Sequence, residues 1–178
     1  MGTEIHPEFV IWATSSAGVL STKKSYQTLE TYGDTIFKLS GTFLAYNYYK
    51  KHESGLLDEN KIDQLKIAFI TNLYFFRVGK RLKLNRYIRT IDADLKSWSP
   101  PFSEQVAPFE SLNCTGKHIA DVVESIVGAH FMTNNLRRTM QLISDMQIMP
   151  LEQAGVLDLF PDGDLTFELS EDLDGYCF

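Results

Sequence analysis

Two short acidic segments far apart in the chain constrain its fold most strongly. The first contains Glu30 and Asp34, four residues apart, and the second contains Asp121 and Glu124, three residues apart. On α-helices these spacings place both carboxylates of a pair on one face. Like charges so placed weaken a helix by about 0.2–0.5 kcal/mol, so helix stability does not favour them. A divalent cation would relieve the repulsion, and hard oxygen ligands suit Mg²⁺ or Mn²⁺.

The surroundings of these acids distinguish them from ordinary surface charges. Most acidic residues lie on solvated helix faces, which is the simplest interpretation of each acid taken alone. The neighbours here are instead small and apolar, as in buried helix contacts: Gly33, Ile36, Ile119, Ala120, Val123 and Ile126. We therefore predict that the four acids form one metal centre, which would hold two ions that activate water and stabilise the leaving oxygen of a phosphodiester.

Helical periodicity dominates the first 150 residues and predicts an all-α fold, a helical bundle. We expect helices over residues 26–49, 59–82, 119–131 and 136–146, and a short buried helix followed by a turn within residues 7–20. Gly33 and Gly41 each cost about 1 kcal/mol inside a helix, which indicates that another backbone passes close by. Prolines and serines between residues 91 and 113 predict a surface connection.

The distribution of charge divides the chain into two parts. The net charge of −6 argues against nucleic acid at first sight. Eight of the 23 acids lie in residues 151–178, however, which leaves 15 acids against 17 basic residues in residues 1–150. A mildly basic body is compatible with a phosphate backbone. We predict a folded domain over residues 1–150 and an acidic C-terminal tail or linker over residues 151–178. This tail is either a solvated linker or an autoinhibitory segment that covers the nucleic-acid-binding surface of the domain.

Cysteine content and hydropathy bear on the compartment. Cys114 and Cys177 are the only cysteines and form no close-spaced motif, which fits a reducing compartment, the cytoplasm or the nucleus. No run approaches the roughly 18 apolar residues of a membrane span, so no membrane partner is expected. Cys114 and His118 lack a second pair at suitable spacing, so we do not expect zinc.

Further residues of the two acidic segments resemble the paired signatures of ribonuclease III domains. The first segment reads Leu29-Glu30-x-x-Gly33-Asp34, and the second reads Lys117-x-Ile119-Ala120-Asp121-x-x-Glu124-Ser125-x-x-Gly128-Ala129. Other stretches are similar to the first of the two such domains in Dicer proteins: Thr71-Asn72-Leu73-Tyr74, Arg77-Val78-Gly79-Lys80, Trp98-Ser99-Pro100-Pro101 and Gln147-Ile148-Met149-Pro150. The resemblance covers about residues 8–152.

This resemblance implies the ribonuclease III endonuclease fold and Mg²⁺- or Mn²⁺-dependent hydrolysis of one strand of double-stranded RNA. The implied metal ligands, which are also catalytic, are Glu30, Asp34, Asp121 and Glu124. Lys117 stands where the family carries a lysine, and a cation there would stabilise charge in the transition state.

The resemblance also implies partners. Gln27, Lys66 and Asn72 are the expected RNA contacts. Duplex RNA is recognised by shape, 2′-hydroxyls and phosphates, which suits a chain without a base-reading motif. Because a duplex has two strands, the family pairs two domains. The expected second ribonuclease III domain is another copy or part of a longer parent chain, and the expected role is Dicer-like processing of small RNAs.

Departures from the family pattern leave two alternatives open. Gln27 and Thr28 stand where many members have an acid and Arg, and Thr31-Tyr32 replaces a common Phe-Leu. The first alternative is a catalytically silent ribonuclease III-like domain that binds RNA or supports an assembly. The second is a helical interaction module whose acidic tail docks on a basic partner. Metal-dependent cleavage of a long RNA duplex would separate them.

Overall fold

The computed structural model describes residues 5–16, 25–52, 58–89 and 115–160. Within these ranges the chain forms six α-helices, and the only β pairing is an isolated bridge between Ser15 and Arg89. The helices are α1 (Pro7–Ala13), α2 (Tyr26–His52), α3 (Glu59–Phe69), α4 (Asn72–Arg81), α5 (Gly116–Thr133) and α6 (Leu136–Asp145). Two 3₁₀ turns lie at Leu84–Arg86 and Leu157–Leu159. The prediction of an all-α fold is confirmed.

The central element is α5. Eleven of its 18 residues are buried, so the helix is enclosed on nearly all sides, as expected for a helix that is apolar almost all round. It packs mainly against α2 and α4, while α1 and α6 cover further parts of its surface. The main core lies around it and includes Phe37 and Phe75, whose ring centroids are 4.6 Å apart. Any acidic side chain on the inner part of α5 is therefore removed from water.

The close crossing of α2 and α5 depends on two glycines. A Cβ atom at Gly33 would lie 1.8 Å from the carbonyl oxygen of Glu124, and one at Gly128 would lie 2.0 Å from that of Leu29. No side chain fits at such distances, so glycine alone allows the two backbones to touch. The predicted close passage at Gly33 is observed, and it brings the acidic segment of α2 against that of α5.

The single helix predicted over residues 59–82 is wrong, because the chain breaks between α3 and α4. Thr71 has an extended backbone, with φ −83° and ψ 145°, and its hydroxyl accepts a hydrogen bond from the backbone N–H of Tyr74 at 3.2 Å. A threonine that caps a new helix in this way ends the preceding one. The other three long helices were predicted correctly to within a few residues at each end.

Residues 151–160, the described start of the predicted tail, pack onto the helices. Val156 and Leu157 are buried in the main core. Arg137 on α6 donates from Nη1 to the carbonyl oxygens of Leu157 and Phe160, at 2.6 Å each. The domain boundary at residue 150 stays a prediction, and these contacts favour a position nearer residue 160.

Some sequence-based expectations fall outside the described residues. The surface connection over residues 91–113 and the acidic stretch over residues 161–178 both lie there. Within the part of the chain that the structure describes, no helix is long and apolar enough to cross a bilayer.

Candidate metal centre

Three of the four predicted metal ligands converge where α2 crosses α5. Glu30, Asp121 and Glu124 each offer a carboxylate oxygen, and these oxygens lie within 4.8 Å of one another. Asp121 and Glu124 are only 4% and 7% exposed, and Glu30 is half-buried. The spacing of three residues puts both acids of α5 on one face, and the glycine-dependent crossing brings Glu30 to that face.

The electrostatics of the centre show an excess of negative charge. Burial raises the pKa of Glu124 to about 8, and the nearby charges of Asp34, Glu30 and Asp121 add to the rise. Burial is also the main cause that raises the pKa values of Glu30 and Asp121. Three carboxyl groups that all resist ionisation in one place would be stabilised in their charged form by a cation.

The distances fit a hard divalent cation. In octahedral coordination at about 2.1 Å, oxygens are roughly 3 Å apart when adjacent and 4 Å apart when opposite. The oxygens of Glu30, Asp121 and Glu124 lie within 4.8 Å of one another, a limit slightly wider than these distances. Carboxylates are the ligands that Mg²⁺ and Mn²⁺ prefer. The residues present therefore fit the predicted ion.

Asp34 lies at the edge of this centre and is held by another residue. Its Oδ2 accepts a hydrogen bond from Nζ of Lys38, one turn further along α2, at 2.6 Å. It is outside the converging group of three, yet its charge helps to raise the pKa of Glu124. Lys38 was not among the predicted site residues, although its spacing of four residues from an acid on a helix is typical of an ion pair.

The start of α5 places Lys117 beside the acids. The N–H of His118 donates to the Thr115 hydroxyl at 3.3 Å, and the N–H of Thr115 donates to Nδ1 of His118 at 3.4 Å. This reciprocal pair is a capping box, which fixes where α5 begins. Lys117 is exposed in that first turn, and its positive charge lowers the pKa values of Glu30 and Asp121 against the effect of burial. Its ammonium is therefore within electrostatic reach of both carboxylates.

The three residues predicted to contact RNA are not part of the group of converging acids. Gln27 is exposed in the first turn of α2, one turn before Glu30, and Asn72 is the exposed first residue of α4. Lys66 on α3 packs over α2 at Gly41 and forms an ion pair with Asp63 at 2.5 Å. Their RNA-binding roles stay predictions.

Two relatives with similar sequences come from fungi. The chain is 29% identical over 127 residues to Dicer-like protein 2 of Neurospora crassa and 26% identical over 149 residues to Dicer-like protein 2 of Pyricularia oryzae. These alignments cover 67% and 84% of this chain. They cover only 8% and 9% of the two relatives, so the chain corresponds to a small part of their length.

The fold is similar to solved structures of the nuclease domain of ribonuclease III from Campylobacter jejuni. One has a TM-score of 0.59 at 16% identity and covers 80% of this chain and 88% of that one. A second, at 2.2 Å resolution, has a TM-score of 0.58 at 17% identity and covers 89% of each chain. At this level of identity the likeness establishes the fold alone, and it agrees with the predicted ribonuclease III architecture.

The family follows from the sequence match over the site itself. Residues 27–135, more than half of the chain, match the profile of the Ribonuclease III domain. This range includes both acidic segments and runs from the first turn of α2 to the end of α5. The chain thus belongs to the ribonuclease III domain family, whose members are endoribonucleases that act on double-stranded RNA.

Proposed function

We propose that this domain is a metal-dependent endoribonuclease that cleaves one strand of double-stranded RNA. The observation that carries the proposal is the convergence of Glu30, Asp121 and Glu124, whose oxygens lie within 4.8 Å of one another on two crossing helices. Clustered carboxyl groups with raised pKa values destabilise a fold, and such groups concentrate at functional sites. Membership of the ribonuclease III family supplies the reaction class.

The chain's own residues would bind the ions and orient the phosphate. The proposed ligands of Mg²⁺ or Mn²⁺, with two ions per centre, are Glu30, Asp34, Asp121 and Glu124. When bound, such ions stabilise negative charge on phosphate oxygens and lower the pKa of water. Lys117 is exposed beside Glu30 and Asp121, so its ammonium would donate hydrogen bonds to a phosphate oxygen as charge develops there.

A second ribonuclease III domain completes the proposed activity, because one centre cuts one strand. Beside Glu30, the exposed side of α2 carries a shallow depression lined by Gln27, Thr28, Thr31 and Tyr32, which is open to a partner. The partner would be another copy or a domain of a longer parent chain. Two findings support this: one C. jejuni neighbour is described with a region involved in dimer formation, and the fungal relatives are much longer than this chain.

Similarity to Dicer-like proteins suggests the biological role of the domain. We propose that the domain processes double-stranded RNA into small RNAs, and that it works in a reducing compartment, the cytoplasm or the nucleus. The sequence similarity to Dicer-like protein 2 of two fungi supports the first statement. The second rests on a chain of 178 residues with two cysteines and no close-spaced motif.

The experiment is cleavage of a long, end-labelled RNA duplex over a series of protein concentrations, with Mg²⁺, Mn²⁺ or a chelator. We expect cleavage only with a divalent ion, rising more steeply than linearly with protein concentration. Light scattering on the same samples would show whether two chains associate. RNA binding without cleavage in either metal would contradict the proposal and favour the catalytically silent domain. Efficient double-strand cutting by a strict monomer would contradict pairing.

A further inference from the structure

Lys38 is a basic residue that contacts an acid of the centre directly. Its Nζ lies 2.6 Å from Oδ2 of Asp34, and the two residues are one turn apart on α2. The charge of Lys38 also interacts with an acid outside this pair. The hydrogen bond and charge of Asp34 raise the pKa of Lys38, and the charge of Glu124 on α5 adds to the rise. The ammonium of Lys38 is therefore within electrostatic reach of both helices that form the centre.

We propose that Lys38 is a positioning residue that holds Asp34 in the metal-free centre and releases it when a divalent cation binds. The inference rests on the proposed function, since it requires Asp34 to become a metal ligand. It explains why Asp34 is outside the group of three acids that already converge. In this arrangement Lys38 is a built-in counter-ion that competes with the metal for one carboxylate.

The exposure of the pair makes such an exchange possible. The side chains of Lys38 and Asp34 are 57% and 37% exposed. Ion pairs of this exposure contribute little to stability, so breaking one is easy. A lysine side chain can carry its charge into water by rotating about its flexible stem. Asp34 is then free to turn toward Glu30 and Glu124, whose charges already interact with its own.

Competition for Asp34 and simple stabilisation of α2 predict different effects of removing Lys38 on metal affinity. If Lys38 only stabilises α2, its removal leaves metal affinity unchanged. If Lys38 competes for Asp34, its removal frees a ligand and also removes a positive charge near the incoming cation. Both changes strengthen metal binding, so a variant without this charge should bind the ion more tightly than the parent chain.

The test measures Mn²⁺ binding to the full chain, without RNA, by loss of the electron paramagnetic resonance signal of free Mn²⁺. We expect Lys38→Gln to lower the dissociation constant about three- to tenfold, the scale of one exposed charge–charge contact acting on a divalent ion. Lys38→Arg keeps the positive charge, so its dissociation constant for Mn²⁺ should equal that of the parent. Circular dichroism would confirm that each variant is folded.

Lys50→Gln is the matched control. Lys50 is exposed on the same helix, twelve residues further on or about 18 Å along the axis, and its Nζ lies 5.7 Å from the ring centroid of Tyr46. We expect this variant to bind Mn²⁺ with the affinity of the parent. A gain equal to that of Lys38→Gln would show a general charge effect and would overturn the inference.

A double-mutant cycle tests whether Lys38 acts through Asp34. In an Asp34→Asn background, three converging acids remain to bind Mn²⁺ and only the direct charge effect of Lys38 is left, so Lys38→Gln should raise the affinity clearly less than in the parent background. The same gain in both backgrounds would overturn the positioning role. A parent that binds Mn²⁺ while Lys38→Gln has no effect would refute the inference alone. A parent that binds no Mn²⁺ would instead refute the metal centre, so the two failures are distinguishable.

Discussion

The two halves of the acidic centre lie in opposite environments. On α5, Asp121 and Glu124 are 4% and 7% exposed, on a helix enclosed by the rest of the fold. On α2, Glu30 is half-buried and Asp34 is 37% exposed at its side chain and paired with Lys38. The energetic cost of burying ionisable carboxyl groups therefore falls mainly on α5. We infer that α5 supplies the rigid ligands of the centre and α2 an adjustable one.

The largest expected effect follows from removing a carboxylate of the buried half. Glu124→Gln or Asp121→Asn should reduce metal-dependent cleavage on the order of 10²–10³-fold, the usual loss when one preorganised electrostatic group is removed from an active site. Because each change also replaces a buried group that resists ionisation with a neutral one, the metal-free variants should be at least as stable as the parent. Single-turnover cleavage and thermal unfolding would measure both.

The control for these two variants is Glu59→Gln, which neutralises an exposed acid at the start of α3. It should leave cleavage within about twofold of the parent, since exposed charges contribute little. Undiminished cleavage by Glu124→Gln would show that the buried carboxylate of Glu124 takes no part in the reaction. A clear loss of stability would instead give it a structural role.

The next effect tests the crossing that joins the two halves. At Gly33→Ala the new Cβ would lie 1.8 Å from the carbonyl oxygen of Glu124, so α2 and α5 must separate. Overpacking of this kind costs about 3 kcal/mol or more, which lowers the melting temperature by roughly 6–12 °C in a domain of this size. Thermal unfolding followed by circular dichroism would measure it.

Gly41→Ala is the matched control on the same helix. Its new Cβ would meet Cγ of the Lys66 side chain at 3.1 Å, and a flexible side chain can move aside. Alanine also favours a helix over glycine by up to about 1 kcal/mol. The melting temperature should therefore change by no more than about 4 °C in either direction. Equal losses at Gly33 and Gly41 would contradict the special closeness of the α2–α5 crossing.

A smaller effect concerns the pH dependence of stability without metal. The pKa of Glu124 is raised from 4.5 to about 8 in the folded protein, so the folded state keeps a proton there that the unfolded state loses. Stability should therefore fall as pH rises from 4.5 to 8. Between pH 6.5 and 8 the loss is at most about 2 kcal/mol.

The window from pH 6.5 to pH 8 largely separates the effect of Glu124 from that of a second buried group, which lies near the C-terminal end of α5. Burial lowers the pKa of His130 from 6.5 to about 4, so this histidine destabilises the fold mainly below pH 6.5. Chemical denaturation at pH 6.5 and pH 8 would measure the Glu124 effect. Glu124→Gln should abolish most of it, and saturating Mg²⁺ should also flatten it. An equal slope in the parent and in Glu124→Gln would assign the effect to other groups.

The sequence was sufficient to predict the helices that carry Glu30, Asp34, Asp121 and Glu124, because helical periodicity and residue spacing are local properties. It could not show the break before Thr71, since apolar periodicity continues through a capped turn. Nor could it show that Val156 and Leu157 are buried, because the acids around them dominate the local composition. Burial of Asp121 follows from long-range packing of α5, which no local pattern contains.

The smallest expected change comes from the exposed half of the centre. Asp34→Asn breaks the ion pair with Lys38, a loss of about 0.3–0.5 kcal/mol for such a pair on a helix. It also removes the charge that, after burial, contributes most to raising the pKa of Glu124. These effects oppose each other, so the free energy of unfolding without metal at pH 8 should change by less than about 0.5 kcal/mol.

The pH dependence would still reveal the change, because relief of Glu124 acts only where that group titrates. The loss of stability between pH 6.5 and pH 8 should be smaller in Asp34→Asn than in the parent, though larger than in Glu124→Gln. Denaturation of the three proteins at both pH values measures this order. Should Asp34→Asn destabilise the metal-free protein as strongly as Gly33→Ala, Asp34 would be a structural residue of the crossing. The contrast between a rigid buried half and an adjustable exposed half would then fail, since both halves would hold the fold together.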